Sequence, residues 1–207
     1  MALLKTHLPF RAESRRSRRP RSKSWSIETA SLVLLPLILF LGVVAPALAQ
    51  TLSESQVKAA YLFNFTRFIS WPDSAFASPT SAFAICIAGD TPITALLSQA
   101  TSGKAVSGRP ISVRRIKRNE ADRSCHVVFI SVDEQRDSAA ILRALQGAHT
   151  LTVAEFDGFS ASGGMINFFL QDSKVKFELN LAAATTAGLD VSSKLIVVSR
   201  RYPPDGR

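Results

Sequence analysis

Two short, unbroken apolar runs constrain the fold of this chain more than any other feature. Residues 82–88 read Ala-Phe-Ala-Ile-Cys-Ile-Ala, and residues 126–131 read His-Val-Val-Phe-Ile-Ser. Runs of this length and continuous hydrophobicity are typical of strands that are covered on both faces. They therefore predict two central strands of one sheet.

A helix and a further strand follow each of these runs. After the first run, Gly89-Asp90-Thr91-Pro92 begins a helix that extends to about Ala100, and residues 110–117 alternate as a more exposed strand. After the second run, a helix is predicted over 133–145 and a strand over 151–154. This order, found twice, predicts an α/β fold with a mostly parallel sheet that is flanked by helices on both faces.

The C-terminal part adds an antiparallel hairpin at the sheet edge. Residues 174–179 alternate strictly, and the turn Gln171-Asp172-Ser173 separates them from the apolar run at 165–170. Two short helices are predicted next, one capped by Asn180 and one that ends near Val198. The last residues, with two prolines, are expected to form a frayed tail.

A basic segment and then an apolar segment precede all of these elements. Eight Lys or Arg residues lie within residues 1–29, an apolar run covers 30–44, and Pro46-Ala47-Leu48-Ala49-Gln50 follows. This is the order of a secretory signal, and small residues at 47 and 49 predict cleavage after Ala49.

The alternative to a cleaved signal is an uncleaved membrane anchor. The apolar run contains Pro36 and is shorter than the roughly 20 residues that a spanning helix needs, which favours cleavage. The sequence therefore predicts a leader, residues 1–49, and a single domain, residues 50–207, that works outside the cytoplasm.

The positive charge of the chain belongs mostly to this leader. The whole sequence has a formal net charge of +9, whereas residues 50–207 hold 17 Lys or Arg against 14 Asp or Glu. A folded part with so small a basic surplus lacks the electrostatic signature of a nucleic-acid-binding protein. No nucleic-acid partner is expected, and membrane association is expected only through a partner or an uncleaved signal.

The residue pattern gives no support for catalysis or metal binding. His126 and His149 have no Gly-x-Ser-x-Gly elbow and no third member of a triad to accompany them, so structural roles are expected for both. The sequence contains no His-Glu-x-x-His, no paired Cys-x-x-Cys and no calcium-loop spacing. The prediction is a non-enzymatic protein with no catalytic residues, no cofactor and no metal.

Cys86 and Cys125 are the two cysteines of the chain. In an exported protein an even number of cysteines favours a disulfide, and the alternative is two free, buried thiols. A bridge would close a loop of about 40 residues and add ~4 kcal/mol in the chain-entropy treatment.

Aromatic residues crowd the first predicted helix, which extends from Glu54 to Ile69. Its expected core stripe consists of Val57, Ala60, Tyr61, Phe65 and Phe68. The aromatic content exceeds what one helical stripe can bury, which leaves room for a protein interface or an apolar ligand pocket. The candidate partner-binding residues are Phe63, Phe65, Phe68 and Trp71.

A basic run lies at the end of the exposed strand. It consists of Arg114, Arg115, Lys117 and Arg118. The simplest interpretation is a solvated strand edge. The alternative is a patch that faces an anionic membrane surface or an acidic partner.

Four segments, in order along the chain, resemble the YfiR family of small periplasmic proteins. Residues 56–72 read Gln-Val-Lys-Ala-Ala-Tyr-Leu-Phe-Asn-Phe-Thr-Arg-Phe-Ile-Ser-Trp-Pro, and residues 85–90 read Ile-Cys-Ile-Ala-Gly-Asp. Residues 124–131 read Ser-Cys-His-Val-Val-Phe-Ile-Ser. The fourth segment begins with Gly-Gly-Met-Ile-Asn-Phe at 163–168 and continues through 174–182 and 192–195.

The resemblance implies a periplasmic α/β domain with a Cys86–Cys125 disulfide and a regulatory role without catalytic residues. The best-known type of member represses an inner-membrane diguanylate cyclase by binding its periplasmic sensor part, which lowers cyclic di-GMP output. The expected partner is therefore such a membrane-anchored cyclase or another envelope receptor, and a homodimer is compatible with the sequence. The alternative function is a small-ligand sensor that works with a histidine kinase or an outer-membrane receptor.

Overall fold

The computed structural model describes residues 52–117 and 122–204. The predicted signal peptide, its cleavage after Ala49 and the basic residue Arg118 lie outside the described residues. The described residues all belong to one unit of the chain, Thr51–Arg207.

The first helix, α1, spans Glu54–Phe68 and is held at its start by a capping box. The Ser53 hydroxyl accepts a hydrogen bond from the Gln56 N–H, and the Gln56 side chain accepts one from the Ser53 N–H. The predicted core stripe is wrong at Ala60 and Phe68, which are exposed. Phe65 is buried as predicted, and Val57 and Tyr61 pack half-buried against the core. The helix also buries Lys58, Ala59, Leu62 and Thr66. Because apolar residues occur on several sides of α1, periodicity alone did not identify the buried side.

Eight strands form the main sheet. Their bounds are β2 Phe83–Ala88, β3 Ala105–Val106, β4 Arg109–Ile116, β5 Val127–Ile130, β6 Leu151–Ala154, β7 Ile166–Gln171, β8 Lys174–Asn180 and β10 Arg200–Tyr202. Their spatial order is β10-β8-β7-β6-β5-β2-β4-β3. Only the β7–β8 and β3–β4 pairs are antiparallel, so the mostly parallel sheet predicted from the sequence is confirmed. A separate ladder pairs β1, Ile69–Ser70, with β9, Asp190–Val191.

Helices cover both faces of this sheet. Besides α1 they are α2 Ile93–Thr101, α3 Ser138–Ala144, α4 Leu181–Thr186 and α5 Ser193–Val198. We call the two sides the α1 face and the disulfide face. The α1 face is packed by α1, α2, α4 and α5, whereas α3 and the Cys86–Cys125 pair lie on the disulfide face.

Side chains of the central strands alternate between these faces, as the pleat of a strand requires. In β2, Phe83, Ile85 and Ile87 point to the α1 face, while Cys86 and Ala88 point to the disulfide face. All of these side chains are buried. This two-sided burial explains why the strand has no polar positions in its sequence.

Two segments differ from the prediction. The predicted helix over 133–145 is a 3₁₀ segment, Val132–Asp137, followed by α3, and the Ser138 hydroxyl donates to the Gln135 carbonyl where they meet. Strand β10, residues 200–202, was not predicted; it lies alongside β8 immediately before the two prolines of the expected tail. The hairpin lies at this end of the sheet, and β10 pairs outside it with β8, where Arg200 stacks on Phe169 and pairs with Glu178.

None of the helices within residues 52–117 and 122–204 has the length and hydrophobicity required to cross a bilayer.

Candidate functional site

A groove of about 720 Å³ opens where α1 ends. The last turns of α1 and the following loop form one wall, and the turn between β3 and β4 forms the other. Its lining consists of Phe63, Thr66, Arg67, Ile69, Ser70, Trp71, Asp73, Phe76, Phe83, Lys104, Ala105, Val106, Ser107 and Arg109. We call this feature the α1 groove. Its volume lies within the usual range of small-molecule sites.

Aromatic rings form the floor of the α1 groove. The Trp71 indole N–H donates to the His126 carbonyl at 3.1 Å, and its ring meets Phe83 edge-to-face at 4.8 Å between centroids. Phe76 and Phe83 stack on the His126 ring at 4.5 and 4.8 Å. These contacts hold the loop after α1 against the start of β5.

Two cations are held over aromatic rings at the sides of the groove. The Lys104 ammonium lies 4.8 Å from the centre of the Phe63 ring, and the Arg109 guanidinium lies 3.8 Å from that of Phe76. Arg109 is fixed further because its Nη1 donates to the Ser78 carbonyl at 2.7 Å and to the Ser81 carbonyl at 3.1 Å. Cations at this distance from a ring gain roughly 0.5–1 kcal/mol when exposed.

The groove has a positive balance of charge. Arg67, Lys104 and Arg109 face one carboxylate, Asp73, in the described lining. A groove with apolar rings below and cations at the rim suits a partner that presents an apolar side chain beside an acidic one.

His126 lies under the groove as a neutral ring. Its Nδ1 accepts a hydrogen bond from the Ala84 N–H at 3.0 Å, which assigns the ring proton to Nε2. Burial lowers the pKa of His126 below its ordinary value of 6.5; the Ala75 backbone opposes this effect and the nearby positive charge of Arg109 adds to it, and the net shift is downward. The ring is therefore uncharged at neutral pH and packs as an aromatic side chain.

His149 joins the loop after α1 to the end of α4. Its Nδ1 lies 2.8 Å from the Ala187 carbonyl, and its Nε2 lies 3.1 Å from the Ser74 hydroxyl. The ring also occupies the space beside Gly188, where a Cβ would lie 2.9 Å from Nδ1. Both histidines thus make structural contacts.

The four candidate partner-binding residues do not lie together. Phe63 and Trp71 line the α1 groove. Phe65 is fully buried in the core, where it stacks with Phe168 and meets Phe177 edge-to-face. Phe68 is 36 % exposed, and its carbonyl accepts from the Ser192 N–H, beside the start of α5. In this conformation Phe65 therefore offers no surface to a partner.

Sequence reasoning did not assign Lys104 or Arg109 to the site. They flank the β3–β4 turn, in which Ser107 and Gly108 have positive φ, and Lys104 reaches Phe63 of α1 while Arg109 reaches Phe76 of the following loop. The local sequence predicts a turn at these residues, but it does not predict which part of the fold the turn contacts.

On the other face, Cys86 and Cys125 are joined as a disulfide with a Cα–Cα distance of 5.9 Å. Both residues are buried. Beside them, Arg114 pairs with Asp122 at 2.7 Å. The Ser124 hydroxyl donates to Asp122 and, with Arg114, holds the pKa of that carboxyl below its usual range. The bridge joins β2 to the segment that enters β5.

Comparison with known proteins assigns the chain to a family. A search of curated proteins finds no match. The sequence model of the YfiR/HmsC-like family matches residues 55–200, a span that begins in the first turn of α1 and ends at β10. The match includes every segment that carried the resemblance and all residues that line the α1 groove. The chain therefore belongs to the YfiR/HmsC-like family.

Proposed function

We propose that this protein is a non-enzymatic periplasmic regulator that binds and represses the periplasmic sensor part of an inner-membrane diguanylate cyclase. Repression lowers cyclic di-GMP and with it biofilm formation. The observation that carries the proposal is membership of the YfiR/HmsC-like family over residues 55–200, because this family suggests regulation of such a cyclase.

Export supports the same proposal from an independent part of the sequence. The basic segment, the apolar run and the small residues before Gln50 have the order of a secretory signal, and we place cleavage after Ala49. Export would put the single domain, residues 50–207, in the oxidising compartment where the Cys86–Cys125 bridge is stable.

The surface that we propose for the receptor is the α1 groove with Phe63 and Trp71. These two candidate aromatics are half-buried, line the groove and have rings held by neighbours, whereas the exposed Phe68 does not line it. Rigid aromatic side chains at the centre of a concave surface are the usual energetic anchors of an interface, since little conformational entropy is lost when they bind. Lys104 and Arg109 would orient an acidic residue of the receptor beside them.

The decisive experiment measures cyclic di-GMP and biofilm in a strain that lacks the gene. Loss of the repressor should raise both, and the unmodified gene should restore them. Complementation with Phe63→Ala or Lys104→Glu should fail, whereas Leu170→Ala, at an exposed apolar residue on the β7–β8 hairpin, should succeed. An unchanged cyclic di-GMP level in the deletion strain under several envelope stresses would exclude the cyclase as target.

A second candidate function is favoured by the size of the α1 groove. A volume of about 720 Å³ is enough for a small molecule, which is what a ligand sensor or adaptor for a histidine kinase or an outer-membrane receptor requires. Neighbouring genes separate the two candidates. A diguanylate cyclase beside this gene favours the repressor, and a kinase or receptor gene favours the sensor.

A further inference from the structure

The outer edge of β4 is paired over only a small part of its length. β4 spans Arg109–Ile116, but β3 reaches no further along it than Pro110. On its other side β4 pairs with β2 from Ile111 to Ile116. Among the described residues no strand covers the outer edge of β4 beyond β3. An uncovered edge of this kind is a template for a further strand.

The direction of the free backbone groups follows from one hydrogen bond. The Ile111 N–H donates to the Lys104 carbonyl at 3.4 Å, so the backbone groups of Ile111 point away from β2. Successive residues of a strand point their N–H and C=O groups in opposite directions, because these groups alternate along the ladder. Val113 and Arg115 therefore present N–H and C=O to the outside, whereas Ser112 and Arg114 face β2.

The side chains along this edge are basic on both faces of the sheet. Residues 109–117 contain three Arg and one Lys and no acidic residue. Arg114 points to the disulfide face, where it pairs with Asp122. Arg115 lies on the opposite side and is exposed, and its 3.3 Å contact with Asp90 is exposed as well. Such a contact contributes little, so a better-placed carboxylate can displace it.

Charge decides which occupant suits the edge. A second copy of this chain, paired through the same strand, would bring Arg114 and Arg115 of the two copies close to each other, and like charges across a strand pair are destabilising. An acidic strand would instead place a carboxylate opposite the exposed Arg115 guanidinium, where opposite charges stabilise the pair.

We propose that the outer edge of β4 binds an extended acidic segment of a partner protein, which adds to the sheet as a further strand. The backbone groups of Val113 and Arg115 supply the hydrogen bonds, and Arg115 selects the acidic side chains, while Arg114 stays paired with Asp122. This surface is separate from the α1 groove, and the proposal holds whether or not the cyclase is the partner.

The experiment uses amide hydrogen exchange of the purified protein, followed by NMR, with a synthetic peptide Thr-Glu-Val-Glu-Val-Thr as the probe. In the free protein the amides of Val113 and Arg115 should exchange fast and those of Ser112 and Arg114 slowly. Addition of the peptide should protect Val113 and Arg115. The matched control is Thr-Lys-Val-Lys-Val-Thr, which has the same strand propensity and the opposite charge and should leave exchange unchanged.

Two variants test the backbone and the charge separately. Val113→Pro removes one outward N–H and leaves the β2 ladder intact, which edge strands tolerate, and it should abolish protection at Arg115. Arg115→Glu retains the backbone and should weaken peptide binding by about fivefold, an effect that fades at high salt. Circular dichroism verifies that each variant is folded.

Three results would overturn the proposal. One is slow exchange of the Val113 and Arg115 amides in the free protein, which would mean that the edge is already covered. Another is equal protection by the glutamate and lysine peptides. The third is protection that grows with protein concentration and without peptide, which would assign the edge to a second copy of the chain.

Discussion

The Trp71 indole N–H donates to the backbone carbonyl of His126 at 3.1 Å, and the same carbonyl accepts the Leu151 N–H at 2.9 Å. One oxygen thus joins the residue at the exit of α1 to the ladder between β5 and β6. The residue before His126 is Cys125, and its sulfur is bonded to that of Cys86. The floor of the α1 groove is therefore attached directly to the centre of the sheet.

Replacement of Trp71 by Phe should remove the hydrogen bond to the His126 carbonyl and retain an aromatic ring against Phe83. The free energy of unfolding should fall by about 1 kcal/mol, since one hydrogen bond is lost while the His126 carbonyl keeps Leu151 as a donor. Urea denaturation followed by circular dichroism measures the change. Trp71→Ala should cost more, because it also removes the edge-to-face contact with Phe83. Equal losses in the two variants would contradict a separate contribution of the ring contact, and no loss in Trp71→Phe would contradict one of the hydrogen bond.

Lys58 should be more important for stability than an ordinary surface lysine. Its ammonium pairs with Glu155 at 2.6 Å and with Glu54, and the Lys58 and Glu155 side chains are only 10 % and 14 % exposed. Burial would lower the pKa of Lys58, but the two carboxylates outweigh it, so the pKa is raised. Lys58→Met should cost about 2 kcal/mol, because Glu155 is left in a dry site without its cation.

A double variant tests whether that cost belongs to the pair. Lys58→Met with Glu155→Leu should be closer to the unmodified protein than Lys58→Met alone, since an apolar pair replaces a buried ionic pair at little cost. Glu54→Gln, at the 47 % exposed partner, should cost less than about 0.5 kcal/mol. Simple addition of the single effects in chemical denaturation would argue against coupling between Lys58 and Glu155.

The fold should lose stability as the pH falls below about 6.5. The pKa of His126 is lower in the folded protein than its ordinary value, so in this range the unfolded chain binds a proton that the folded protein does not. Unfolding is therefore favoured by acid, and the stability is fully present above pH 6.5. Urea midpoints at pH 7.5 and about 5.5 measure the slope. His126→Asn retains an acceptor for the Ala84 N–H and should show a smaller slope, and an identical slope would assign the effect to other groups.

The disulfide should be complete in exported protein and should stabilise the fold. Mass measurement with and without reduction should reveal one bridge, and a free-thiol count of two in periplasmic material would reject it. The double variant Cys86→Ala/Cys125→Ala should lose up to ~4 kcal/mol, since the bridge closes a loop with a sequence separation of 39 residues. Thermal unfolding of both proteins, with and without reductant, measures this. Reductant should not affect the double variant.

Much of the fold was predictable because the responsible interactions are local or periodic. The apolar runs of β2 and β5, the strand at 151–154 and the alternation of β8 each correspond to an observed strand. Ser53, Asn180 and Ser192 cap helices through their own side chains, as short-range hydrogen bonding leads one to expect. Strand β10 was missed, since three residues of a polar tail gain strand structure only from pairing with β8.

The candidate site was less predictable. The sequence indicated an aromatic excess after residue 60, but it did not separate Phe65, which is buried, from Phe63 and Trp71, which line the groove. Which of these rings is buried depends on which side of α1 packs against the sheet. Lys104 and Arg109 join the groove from a distant turn, and no local pattern links them to α1.

By itself the sequence determined the α/β class, the order of the six longer strands β2 and β4 to β8, the caps at Ser53, Asn180 and Ser192, and the family. These follow from short-range periodicity, capping chemistry and segments of the chain that can be recognised one at a time. Only the tertiary structure decided which aromatic rings face solvent, which cations stand over them and which edge of β4 stays open. Those properties depend on contacts between residues far apart in sequence, and packing of the whole sheet fixes them together.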